Sequence, residues 1–175
     1  MEKWEEALYA LKVANVVKNT RLRELNYFTV LHDPRFQLSP GGSEHHHNYP
    51  HGLVIHVNEV MQNVRSMTGG KPSDALTTAV IWHDYMKIKD YNLDGEKVVK
   101  LPYRKLINHV SGSAIVFHQA ACGILPTEEL EQIEHLLLSH HGRKEWGSPV
   151  EPATSDAFIL HAADMMSSRG CNLTN

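Results

Sequence analysis

One stretch constrains this chain more than any other: Ala79-Val80-Ile81-Trp82-His83-Asp84-Tyr85-Met86-Lys87. An apolar run delivers an adjacent His-Asp pair, and a lysine follows one helical turn later. On a helix, Leu76, Val80, His83, Asp84 and Lys87 fall at i, i+4, i+7, i+8 and i+11, on or near one face. Imidazole, carboxylate and ammonium groups then stand where core residues belong. A bare buried charge costs several kcal/mol unless a partner meets it. A divalent ion on His83 and Asp84, with an anionic ligand opposite Lys87, would supply that compensation. A half-exposed helix whose polar residues touch water is the competing reading of this stretch alone.

The same conflict between hydrophobic period and polarity recurs along the chain. Residues 2 to 18 read as an amphipathic helix with Trp4, Ala7, Leu8, Leu11 and Ala14 inward, and carry packing only. Residues 26 to 50 lack a period. Their Asp33-Pro34, Ser39-Pro40-Gly41-Gly42 and His45-His46-His47 groups predict a long ordered loop or a string of turns, with some of these histidines candidates to line a site. Helical period returns over residues 51 to 67, where Leu53, His56, Val57, Val60 and Val64 form the stripe and Gly69-Gly70 closes it. A helix over about residues 73 to 87 starts at a Ser73 cap and ends after the His-Asp pair. Asp94-Gly95 and Val98-Val99 predict a small hairpin. The next helix, about 105 to 121, turns Leu106, His109, Val110, Ser113 and Phe117 inward. Another, about 127 to 141, turns Leu130, Ile133 and Leu137 inward and reaches His140 and His141, between which period does not choose. A Gly/Pro-rich loop with Arg143, Lys144 and Trp146 follows. The last helix, about 154 to 168, has Ala157, Leu160, His161, Asp164 and Met165 inward.

Five expected helices thus each place a ligand-type residue toward the core: His56, His83 with Asp84, His109, His140 or His141, and Asp164. As separate buried polar groups each would need its own partner. A shared metal centre answers all of them. Imidazole and carboxylate donors suit Mn, Fe, Ni, Co or Zn rather than Ca. Four ligands fill one ion, and six hold two with an aspartate bridging at roughly 3.5–4 Å separation. Composition agrees: 13 of the 175 residues are histidine. A net charge of -3 gives no global basic surface for nonspecific nucleic-acid binding. Cys122 and Cys171 match no metal spacing, which with the absence of a long apolar N-terminal run makes the cytoplasm the expected compartment and a membrane an unexpected partner. The length suits a single domain over residues 1 to 175.

The order His…His-Asp…His…His…Asp resembles the HD-domain superfamily of metal-dependent phosphohydrolases. His46-His47-Asn48-Tyr49-Pro50-His51-Gly52-Leu53-Val54-Ile55-His56 and Ser139-His140-His141-Gly142-Arg143-Lys144-Glu145-Trp146-Gly147-Ser148-Pro149-Val150 are similar to segments of the HD domain of YhaM-type 3′-5′ exoribonucleases. The resemblance spans about residues 28 to 168 and implies an all-α, single-domain helical bundle with two sizeable loops. It implies one or two divalent transition-metal ions held by His56, His83, Asp84 and Asp164, with His109 and His140 as ligands of the second. It matches Lys87 to a lysine that meets phosphate. Two departures stand out. The family usually has Gly-Gly where this chain has His51-Gly52, and its exoribonucleases carry an N-terminal nucleic-acid-binding domain of the OB type that residues 1 to 27 cannot form.

The implied activity is phosphodiester hydrolysis on a phosphorylated small molecule, nucleotide or short nucleic acid by a metal-activated water. Asp84, Lys87 and His141 are the candidate catalytic residues, His141 as proton donor to the leaving oxygen or in place of His140 as ligand. Lys87, Arg143, His46 and His47 are candidate substrate contacts. The alternative is an HD-type di-iron oxygenase acting on a small molecule, which the same six ligands allow.

Overall fold

Helix starts in this chain are set by caps as much as by period. The computed structural model describes residues 1–42, 44 and 46–169, so His45 and Cys171 lie outside it. Helix α1 (Lys3–Ala14) opens with a reciprocal Glu2–Glu5 capping box and buries Ala7, Leu8 and Leu11. Helix α2 (Thr20–Leu25) is capped by the Asn19 side chain and continues into a π turn over Asn26–Leu31. Asp33 caps α3 (Pro34–Leu38), with proline at its first position. The stretch 26–50, expected to be irregular, is therefore helical as far as Leu38. Local caps and a wider π winding give no 3.6-residue period to read.

Helix α4 (Gly52–Met67) buries its apolar stripe together with His56. Helix α5 (Asp74–Trp82) is capped by Ser73. Helix α6 (Lys87–Asp90) leads into the hairpin of β1 (Tyr91–Asp94) and β2 (Lys97–Lys100), antiparallel with Tyr91 opposite Lys100. Helices α7 (Tyr103–Leu106), α8 (Asn108–Ala121), α9 (Thr127–Ser139) and α10 (Ser155–Arg169) complete the chain, with one 3-10 turn at Lys144–Trp146. The fold is thus mostly helical, and the hairpin is its only sheet among the described residues. Helix α4 packs between α1 and α10, and α9 packs on α5 and α8. Leu11, Leu22, Phe36, Leu53, Leu76, Trp82, Phe117 and Ile133 fill one continuous apolar core. No helix among the described residues is long and apolar enough to cross a membrane.

Two boundaries differ from the sequence reading. Helix α5 stops at Trp82, five residues early. Beyond it the chain tightens to i→i−3 bonds: Tyr85 N–H to Trp82 O at 3.0 Å and Lys87 N–H to Asp84 O at 2.9 Å. This winding holds His83 and Asp84, adjacent in sequence, both inside the protein. Leu106, expected on an inner face, is 80% exposed. It belongs to α7, and a break at Ile107 and Asn108 (φ +61°) resets the register before α8.

The His51-Gly52 departure has a local explanation. His51 adopts a left-handed φ of +67°, a position that favours glycine. Its ring stacks on Trp4 of α1 at 4.2 Å, and its Nδ1 is 2.7 Å from the Gln37 carbonyl. These contacts hold a histidine in a conformation that glycine adopts most readily. Gly52 has no such latitude, since a Cβ there would lie 2.1 Å from the His47 carbonyl oxygen.

Candidate metal centre

Asp84 is the hub. It is 1% exposed, and neither carboxylate oxygen accepts a directed hydrogen bond from any described group. Its Oδ2 faces His56 Nε2 at 3.1 Å and His83 Nε2 at 3.5 Å. Its Oδ1 faces His109 Nε2 at 3.3 Å and His140 Nε2 at 3.7 Å. Asp164 Oδ1 joins the first side, 3.2 Å from His56 Nε2. His141 joins the second, its Nε2 3.2 Å from that of His109. Helices α4, α8, α9 and α10 and the turn after α5 thus bring one carboxylate oxygen to each of two donor sets, His56/His83/Asp84 and Asp84/His109/His140/His141.

The outer nitrogen of each ring is already engaged. Nδ1 of His83 meets Val80 O at 2.8 Å, Nδ1 of His140 meets Leu137 O at 2.7 Å, and Nδ1 of His141 meets Trp146 O at 2.8 Å. A carbonyl only accepts, so each of these Nδ1 atoms carries the proton. His109 Nδ1 donates to Asp90 at 2.7 Å. His56 Nδ1 donates to Ser167 Oγ at 2.9 Å, and that hydroxyl donates to Glu59 at 2.8 Å. In the neutral rings every Nε2 then offers a lone pair to the interior. His56 and His83 Nε2 are 3.4 Å apart, so with both rings neutral their lone pairs face each other. The fully buried His140 Nε2 has no hydrogen-bond partner among the described residues. Lone pairs converging on a buried carboxylate call for cations, and imidazoles oriented by outward hydrogen bonds are what a transition-metal site uses. The residues fit such a group.

Electrostatics point the same way. Burial pushes His83 down to about 4 and His141 down to about 3, so both rings are neutral at pH 7. Burial also lowers His109. On His56 burial acts downward, but the Asp164 and Asp84 carboxylates facing its Nε2 outweigh burial and raise the pKa. Burial pushes the Asp84 carboxyl up, yet Lys87 and the surrounding imidazoles hold it well below the usual range. Lys87 Nζ sits 2.5 Å from Asp84 Oδ2 and donates to Gly41 O at 2.6 Å. Its burial is outweighed by Asp84, and its pKa is raised.

The cluster opens into a cleft of about 530 Å³ lined by His46, Lys87, His141, Trp146, Asp164, Met165, Ser168 and Arg169. His46 is held near 4 by burial and then by the Lys87 charge. His47 is buried, with its Nε2 3.2 Å from Glu59. Its ring lies 5.3 Å from that of His56, and it is not among the residues that line the cleft. Arg143 lies over the Trp146 ring and lines a neighbouring depression with Glu145, Glu151 and Phe158. Sequence reasoning missed Asp90, Glu59, Ser167 and Arg169. Glu59 and Ser167 stand three residues beyond His56 and Asp164, a same-face spacing that was present in the sequence. Asp90 and Arg169 carry no comparable signal.

The chain has relatives among known proteins. It is 29% identical, over 97% of its length, to a protein of Geobacillus sp. (strain WCH70) named 3′-5′ exoribonuclease YhaM. It is 30% identical over 87% of its length to the protein of that name from Bacillus subtilis (strain 168), and 32% identical over 91% to that from Listeria monocytogenes serotype 4b (strain CLIP80459). The chain is a homologue of these proteins. It covers 52%, 50% and 50% of them, so it spans about half the length of the relatives it matches. No family model and no solved structure matches it.

Proposed function

We propose that this chain is an HD-type metal-dependent phosphohydrolase that cleaves a phosphodiester in a nucleotide or short nucleic acid. The observation that carries the reading is the pair of donor sets sharing Asp84, one on each carboxylate oxygen, beside a buried lysine and next to a cleft that Lys87, His141 and Asp164 line. The exoribonuclease name of its relatives supplies the substrate class.

His56, His83, Asp84 and Asp164 would hold one ion, and Asp84, His109 and His140 a second. One or two divalent ions of Mn, Fe, Ni, Co or Zn would there lower the pKa of a water and polarise the phosphoryl group. The chain's own contribution is placement. Ser167, Asp90 and the carbonyls of Val80 and Leu137 fix the ring orientations before any ligand arrives. Lys87 keeps its proton and lines the cleft, where its ammonium can take up charge on a phosphoryl oxygen. His141 spends its Nδ1 proton on Trp146 O and is neutral at pH 7. That favours a donor role beside His140 over the proton-donor role.

Metal analysis by mass spectrometry on gently purified protein, then assays with Mn²⁺ on labelled RNA, nucleotides and bis-p-nitrophenyl phosphate, test this. Metal-dependent cleavage is expected. Oxygen uptake by iron-loaded protein with no phosphodiester cleavage would replace the reading with a di-iron oxygenase.

A further inference from the structure

Trp146 is 39% exposed on the wall of the cleft, although indole is among the side chains most stabilised by burial. It ends the one-turn Lys144–Trp146 segment, between Gly142 (φ +82°) and Gly147 (φ +97°). Its carbonyl accepts from His141 Nδ1, so the backbone ties the ring's position to a donor of the metal centre. Two guanidinium groups lie over the ring, Arg143 at 5.0 Å and Arg169 at 5.3 Å from its centroid. Both arginines are exposed, and among the described residues neither forms a salt bridge with a carboxylate. Two like charges gathered on one indole without a counter-charge repel each other, and an anion arriving beside the ring would relieve this.

We propose that Trp146 is a stacking platform for the nucleobase of the substrate and that Arg169, which also lines the cleft, meets its phosphate. This rests on the phosphohydrolase reading above and specifies how a nucleotide is told from other phosphate esters. The cleft is the size of a small-ligand site rather than a duplex groove, so one terminal nucleotide enters. A base displaces one long, exposed arginine side chain from the ring while the other stays. Stacking tolerates every base, because each has a π face. The site therefore selects for a base and discriminates little among bases. Trp146 is a binding and positioning residue and takes no part in proton transfer.

The test is calorimetric titration of the Mn²⁺-loaded protein with AMP, UMP and ribose 5-phosphate, in wild type, Trp146→Ala and Trp146→Phe. Trp146→Ala should weaken AMP and UMP by roughly 5- to 150-fold. It should leave ribose 5-phosphate affinity and metal content unchanged. Trp146→Phe should regain most of the loss. The proposal is overturned if wild type does not bind AMP, if Trp146→Ala binds AMP as tightly as wild type, or if it loses AMP and ribose 5-phosphate equally. The two readings separate cleanly. Base-dependent binding without cleavage of any phosphodiester sinks the hydrolase and leaves the platform. Cleavage with KM unchanged in Trp146→Ala sinks the platform and leaves the hydrolase.

Discussion

Replacing Asp84 by asparagine keeps the side chain's shape and removes the one charge that both donor sets share. Two effects follow, and each has a size. The first concerns the protein without metal. Lys87 Nζ, 7% exposed as a residue and 2.5 Å from Asp84 Oδ2, loses its nearest counter-charge. Breaking one side of a buried ion pair costs about 3–5 kcal/mol. A domain of this size shifts Tm by about 2–4 °C per kcal/mol. The melting temperature in EDTA should fall by roughly 6–20 °C, toward the lower end because Gly41 O still accepts from Lys87. The second effect concerns the ions. A ligand present at about a thousand times its Kd stabilises by about 4.1 kcal/mol, or roughly 8–16 °C here. Wild type should show a shift of that order on adding Mn²⁺, and Asp84→Asn should show much less, because His109 and His140 lose the carboxylate that faces their Nε2 atoms and His56 and His83 keep only Asp164. Thermal scans in EDTA and in Mn²⁺, paired with metal content by mass spectrometry, measure both. An Asp84→Asn protein that binds metal and gains stability from it as wild type does would refute the assignment of Asp84 as the hub.

Lys87→Ala should retain its metal content, because Lys87 holds no ion, while kcat/KM for phosphodiesters falls by roughly 10- to 100-fold, the value of a charge-assisted hydrogen bond. Asp90→Ala frees the His109 ring from its 2.7 Å hydrogen bond. Metal affinity, read by titration with a competing chelator, should drop by about 10- to 100-fold although Asp90 touches no ion. Asp33 gives a pH effect remote from the cluster. Its carboxyl is pushed up by burial but held lower overall by hydrogen bonds from Arg35 and from the Tyr85 hydroxyl at 2.7 Å. A depressed folded pKa stabilises above the unfolded value near 3.8 and is lost as pH falls through the folded value. Asp33→Asn should flatten the stability curve below about pH 4, checked by urea unfolding at a series of pH values; an unchanged acid limb would remove Asp33 from the account.

The helices that carry the cluster were legible because each sets a polar residue against a strong apolar period, as His56 does between Leu53, Val57 and Val60. The turn after Trp82 was not. A shift from i→i−4 to i→i−3 bonding leaves the residue types unchanged, and only the hydrogen bonds of Tyr85 and Lys87 reveal it. The helices before Leu38 were hidden for a different reason: they are short, and Asn19 and Asp33 start them by capping rather than by period. Within the cluster, period left His140 and His141 as alternatives. In three dimensions both Nε2 atoms reach the Oδ1 side of Asp84. They come from a helix end where successive residues turn inward together. The partners that orient the rings are harder to read, since a serine or a backbone carbonyl is unremarkable until a ring is placed beside it.

Helix α1 carries no chemistry, yet its Trp4 lies flat on His51, 9° from parallel, at the residue from which α4 begins. The first turn of α4 leads directly to His56. A shortened polypeptide starting downstream of Ala14 would keep every proposed ligand and still lose the surface that holds a histidine in a glycine's conformation. The expected outcome is an α4 that frays from its N-terminal end and a cluster short of His56, so the segment most easily discarded on chemical grounds is one that sample design should retain.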